Sequence, residues 1–125
     1  YGIYAVACGY DPWHMRDVPT QEAYEDYFGA DNMQKIVQGA QTLSMPMKEL
    51  RALYKEGRIV DNGNPIAEWC RSNVAIRTDV NGNIQPDKKN QDPRNRIDAW
   101  AAECDAFIAM KNIADDYRAM IGGQS

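Results

Sequence analysis

The chain reads as a mixed α/β fold, and three observations carry that reading. The apolar run Ile3–Cys8 lies between Gly2 and Gly9, and a run this short bounded by glycines reads as a strand buried on both faces. Val74, Ile76 and Thr78 alternate with Ala75, Arg77 and Asp79 ahead of Asn81-Gly82, which is the period and turn chemistry of a hairpin. From Arg96 to about Met120, the residues Ile97, Trp100, Ala101, Cys104 and Ile108 recur at helical spacing. Strands and helices interleaved in this way belong to the α/β class.

Taken in order, the first strand leaves through Gly-Tyr-Asp-Pro. Asp11 precedes Pro12 and is kept out of the helical region, so the chain turns there. Thr20 as N-cap, Glu22 in the first turn and Gly29 at the C′ position predict a helix over about 20–28, with Ala23, Tyr24, Tyr27 and Phe28 on one face. Met33–Val37 is a short strand candidate, and Gln38–Gln41 reads as a loop. Ser44 and Pro46 suit the first turn of a further helix, which carries Met47, Leu50, Leu53 and Tyr54 and closes at Gly57. The methionines Met45 and Met47 read as core filler.

Arg58–Val60 predicts a brief strand, Asp61–Asn64 a turn, and Pro65 the start of a short helix with Ile66 and Trp69. After the hairpin, with Ile84 opening its returning arm, Pro86–Asn95 reads as a polar, lysine-rich and mobile loop. The long final helix carries a break near Asn112 and ends at Gly122-Gly123. Two or three strands against four helices make a sparse sheet, which suggests that part of the domain lies outside the chain.

The length of 125 residues suits one domain. No apolar run reaches membrane length, and no signal-peptide pattern occurs. Cys8, Cys70 and Cys104 are widely spaced and odd in number, which reads as reduced core thiols of a cytoplasmic protein. A single histidine, His14, excludes a histidine-rich zinc site. A metal here would be held mainly by carboxylates, which favours magnesium or manganese. The net charge of −4 argues against a general nucleic-acid binder. Yet Arg71, Arg77, Lys88, Lys89, Arg94 and Arg96 face only Asp79, Asp87 and Asp92 within their segment. Such a stretch reads either as a solvated loop or as a local phosphate-binding surface.

Two carboxylates stand out. Asp11 reads either as a turn former or as an acid held at the C-terminal edge of a sheet, where open α/β sheets place ligand sites. Asp98 falls in the first turn of the long helix, beside its apolar stripe. It reads either as a complement to the helix N-terminus or as a second ligand, with Ala101 and Ala102 leaving room above it. Asp105 lies about 10.5 Å further along at 1.5 Å per residue, too far to be an obvious ligand of the same ion.

Residues 64–88, NPIAEWCRSNVAIRTDVNGNIQPDK, followed by Arg96-Ile97-Asp98-Ala99, resemble the C-terminal part of tailed-phage terminase large subunits. That family commonly reads Asn-Pro, Trp, Ser-Asn-Val, Asp-x-x-Gly-Asn, Pro-x-Lys and an Ile-Asp that opens an alanine-rich helix. Tyr10–Trp13, Gln38–Leu43 and Met47–Leu50 are similar to it in register. Trp100, Glu103 and Asp105 depart from the family's small apolar run after Asp98.

The resemblance implies a ribonuclease H-like nuclease fold that cuts concatemeric viral DNA during genome packaging, with a separate ATPase. It implies a carboxylate cluster holding two magnesium or manganese ions, to which Asp11 and Asp98 contribute as catalytic and metal-binding acids. It implies double-stranded DNA, a portal and a small terminase subunit as partners, in a bacterial host cytoplasm. Lys88, Lys89, Arg94 and Arg96 are the candidates for contacting the DNA backbone, which confers affinity without sequence readout. The family's first acid sits on an earlier strand, and no Gly-x-x-x-x-Gly-Lys-Ser/Thr loop occurs here. Residues 1–125 are therefore expected to be a partial nuclease domain lacking its N-terminal strands and its ATPase. The site should be incomplete and the isolated chain inactive or weak. Two alternatives stay open: another ribonuclease H-like nuclease of resolvase or transposase type, and a non-catalytic docking module of the packaging motor.

Overall fold

A computed structural model describes residues 5–122 of the chain. Its contacts divide into two compact units: residues up to Val37 with those from Asp105 onward, and Gln38–Cys104 between them. Among the described residues the strands form two separate pairs rather than the single sparse sheet expected from the sequence. No described helix is long and apolar enough to cross a membrane.

In the first unit, β1 (Cys8–Tyr10) pairs in parallel with β2 (Met33–Lys35), Cys8 opposite Met33 and Tyr10 opposite Lys35. The Ile36 N–H continues the ladder to the Tyr10 carbonyl at 2.8 Å. A parallel pair needs a crossover, supplied by α1 (Val18–Phe28) and a 3-10 turn at Ala30–Asn32. The strand is later and shorter than the apolar run suggested. Ala5–Ala7 lie outside it, Ile3 and Tyr4 fall outside the described residues, and Ala5 and Val6 are exposed while Tyr10 is buried. With β2 as its only partner among the described residues, β1 is not the doubly covered strand that such a run usually marks.

Helix α1 begins earlier than expected because Asp17, not Thr20, is its N-cap. The Asp17 carboxylate accepts from the Thr20 hydroxyl at 2.6 Å and the Thr20 N–H at 3.0 Å, and Pro19 occupies the first turn, where its missing N–H is no loss. The aromatic face is not a core face: Tyr24 and Tyr27 are exposed. Gly29 closes the helix at φ 87°, its N–H bonded to the Glu25 carbonyl.

In the second unit, α2 (Ala40–Lys55) starts at residues read from sequence as a loop, and Pro46 lies inside it. A proline in a helix interior costs about 3 kcal/mol. The extension aligns Leu43 with Met47 and Leu50 in one buried stripe, and burying a leucine side chain recovers roughly 1.5–3 kcal/mol. Met47 is fully buried as expected, whereas Met45 is exposed. Ser44 does not cap: it is buried, and its hydroxyl accepts the Ile84 N–H at 3.0 Å. At the other end, the Gly57 N–H bonds to Tyr54 O and the Arg58 N–H to Leu53 O, with Gly57 at φ 68°. This double closure places glycine at C′.

Arg58–Val60 forms no strand, and Val60 is fully exposed. Helix α3 (Pro65–Ser72) is capped by Asn64, whose side-chain oxygen accepts from Ile66 N at 2.9 Å and Ala67 N at 3.3 Å. Strands β3 (Val74–Thr78) and β4 (Ile84–Lys88) form the expected hairpin, Thr78 opposite Ile84 and Val74 opposite Lys88. Residues 86–88 therefore belong to a strand rather than a loop. Pro86 is tolerated because each strand of a two-stranded sheet has an edge. The remainder of the expected mobile loop is tied down: the Lys89 N–H bonds to Asn73 O at 2.8 Å, and the Asn95 amide to Lys89 O at 2.8 Å.

Helix α4 (Asp98–Gly122) runs unbroken through Asn112. The Asn112 side chain donates to Gln34 Oε1 at 2.8 Å, and Gln34 donates to the Ala109 carbonyl at 3.2 Å, so the residue read as a breaker fastens the helix to β2. Gly9 permits the same approach, since a Cβ there would overlap the Asp105 carbonyl. Cys70 and Cys104 are buried, Cys8 is half-buried, and none of the three is in a disulfide.

Candidate functional site

Asp11 follows β1 directly, at the C-terminal end of a parallel strand pair. Its Oδ1 accepts the Trp13 N–H at 2.8 Å and its backbone oxygen accepts from Met15 at 3.1 Å, so the carboxylate is fixed by the turn it caps. Its Oδ2 pairs with His14 Nδ1. The Asp11 side chain is 17 % exposed against 89 % for His14. The acid is thus sheltered while its partner is a surface group. Asp11 lines a hollow of about 290 Å³ with His14, Asp17 and Thr20. Asp17 is committed there to capping α1, and the Thr20 hydroxyl, then the Thr20 N–H, hold its carboxyl below the usual range.

Asp98 is the first residue of α4 and is exposed. It belongs to the second unit and Asp11 to the first, so neither unit alone contains both acids. Hard carboxylate oxygens are the right kind of donor for magnesium or manganese. Among the described residues no three of His, Cys, Asp and Glu gather closely enough to hold an ion.

All four basic candidates lie between the end of β4 and the start of α4, Lys88 being the last residue of the strand. Lys88 ends β4 half-buried, while Lys89, Arg94 and Arg96 are exposed. Arg94 is already engaged: its Nε lies 3.1 and 3.2 Å from the two Asp92 oxygens and a terminal nitrogen 2.7 Å from Oδ2. That fork pushes Arg94 up and, with the Arg94 N–H, holds Asp92 down. Through its carbonyl, Arg96 receives the buried Asn73 amide at 3.0 Å, which leaves its guanidinium outside that contact.

The residues that interrupt the small apolar run after Asp98 have definite places. Trp100 is buried with its ring centroid 6.2 Å from that of Tyr54. Glu103 accepts from the Tyr54 hydroxyl and lies 3.5 Å from Arg71, whose other terminal nitrogen meets Asp61 at 2.5 Å. Asp105, read as too far along the helix to share an ion with Asp98, is buried. Sequence reading also passed over the exposed basic residues Lys48, Arg51 and Lys55 on α2, whose signal was their spacing of three and four.

The family model of the terminase large subunit endonuclease domain matches residues 2–113. The Escherichia coli K12 protein YmfN is 35 % identical across 67 % of this chain and 21 % of its own length. The crystal structure of the HK97 bacteriophage large terminase superposes with a TM-score of 0.59 at 19 % identity, covering 78 % of this chain and 20 % of that one. The chain thus spans about a fifth of the length of these relatives. The superposition shows that the matched part shares its fold with that terminase, in keeping with the α/β, ribonuclease H-like class expected from the sequence.

Proposed function

Because this chain belongs to the terminase large subunit endonuclease domain family, we propose that it is the part of a phage packaging nuclease that presents Asp11 and Asp98 to the DNA. The observation that carries the reading is the match over residues 2–113, which spans both acids. In the whole protein the reaction is hydrolysis of a phosphodiester in concatemeric viral DNA, within a bacterial host's cytoplasm. A portal and a small terminase subunit are its partners, and an ATPase lies elsewhere in the polypeptide. Two divalent ions, magnesium or manganese, would supply charge neutralisation and an activated water, with Asp11 and Asp98 among their ligands. On this chain's side, the turn at Trp13–Met15 fixes the Asp11 carboxylate. Lys88, Lys89 and Arg96 meet backbone phosphates irrespective of sequence, and Arg94 contributes less because Asp92 offsets its charge.

The test uses the full-length protein. Asp11→Asn and Asp98→Asn should each abolish manganese-dependent plasmid cleavage. Denaturant midpoints measured without metal should stay within about 1 kcal/mol for Asp98→Asn, the range of a helix-end charge. A folded Asp98→Asn protein that still cuts at the unaltered rate would sink the assignment.

A further inference from the structure

Charge is unevenly divided along this chain. The unit Gln38–Cys104 carries ten basic and nine acidic residues, whereas the rest carries four and nine. Within the more basic unit, Lys48, Arg51 and Lys55 follow one another at helical spacing on the exposed side of α2. The neighbouring face of that helix holds the buried Leu43, Met47 and Leu50. The three cations rim a hollow of about 650 Å³ that also includes Tyr54, Arg71 and Trp100 and has no carboxylate residue in its lining.

Two of these groups are anchored. Arg71 is held by Asp61 and Glu103 and lies 5.5 Å from the Tyr54 ring centre. The Lys48 ammonium donates to the Gly82 carbonyl at 3.2 Å, which uses one of its three donors. Trp100 brings an indole Nε1–H that is buried without an acceptor among the described residues.

We infer that this face of α2 is a second nucleic-acid surface, one that tracks backbone phosphates independently of the segment between β4 and α4. The inference rests on the nuclease reading. Its geometry matches a nucleic-acid strand: Lys48 to Lys55 spans about 10.5 Å of helix axis, about three steps of a duplex strand at 3.4 Å each. Three cations in a row with no carboxylate among them suit a run of phosphates. A single small anion would need convergent, buried donors instead, and these three side chains are exposed.

The experiment measures duplex binding by the full-length protein as a function of salt. Lys48, Arg51 and Lys55 are replaced together by alanine, and in a second variant Lys88, Lys89 and Arg96 are replaced likewise. The α2 variant should bind every duplex sequence more weakly, with the log–log salt slope shallower by about 0.9 for each phosphate that the protein no longer neutralises. Helix content should persist, since alanine is the best helix former. If it falls, glutamine at the same three positions supplies the same reading. An unchanged slope in the α2 variant, with a reduced slope in the other, overturns this inference and leaves the nuclease reading standing. Absence of duplex binding by the unaltered full-length protein overturns both. Displacement of duplex by equimolar pyrophosphate, lost in the α2 variant, overturns the strand-tracking surface in favour of a small-anion seat.

Discussion

The hydroxyl of Tyr54 donates to Glu103, and burial followed by that carboxylate pushes the phenol up to about 12 from an ordinary 10.0. The folded chain therefore holds this proton to higher pH than the unfolded chain. The resulting stabilisation is complete below pH 10 and declines as pH rises through about 12. Urea midpoints measured across that window should fall more steeply for the unaltered chain than for Tyr54→Phe, and parallel slopes would contradict the raised phenol. Arg94 makes a second point at this scale. A guanidinium already clasped by Asp92 has less charge to offer a phosphate than an exposed lysine. Lys89→Ala should reduce the salt slope of DNA binding by about 0.9, and Arg94→Ala by less; equal reductions would mean that the Asp92 fork opens on DNA.

Two elements depend on single residues that contribute almost no buried side-chain area. Gly9 lets α4 approach β1 so closely that a Cβ would overlap the Asp105 carbonyl. Gly9→Ala must displace backbone rather than a flexible side chain, so it should cost about 1–3 kcal/mol, read as a lowered denaturant midpoint. Helix α3 depends on Asn64, which satisfies two of its unpaired N–H groups. Asn64→Ala should cost about 1 kcal/mol, and Asn64→Ser should retain most of the stability; identical losses in the two would show that the cap contributes nothing. The start of α3 and the hairpin were legible in sequence, because a first-turn proline and an Asn-Gly turn act within four residues. The start of α2 was not. Pro46 and Ser44 carry the local signature of a helix beginning, but burial of Leu43 against the unit's core outweighed it.

For the whole molecule, the shortage of clustered acids has a measurable consequence. With no trio of potential ligands gathered among the described residues, the isolated chain should cut plasmid DNA poorly in manganese while the full-length protein cuts efficiently. Efficient cleavage by these 125 residues, abolished by Asp11→Asn, would show that the metal site is complete within them. The family, the α/β class, the hairpin and the long helices were all readable from the sequence. Each rests on a period, a turn residue or a motif whose physics is local. Tertiary structure alone decided that the strands form two separate pairs and that Asp105 is buried. It alone engaged Glu103 with Tyr54 and Arg71, and turned Asn112 from a breaker into a fastener. Those outcomes depend on pairs such as Gln34 with Asn112 and Ser44 with Ile84, residues separated by 78 and 40 positions. Pairings at such separations leave no periodic trace in a sequence, because they are set by which faces meet once the chain has folded back on itself.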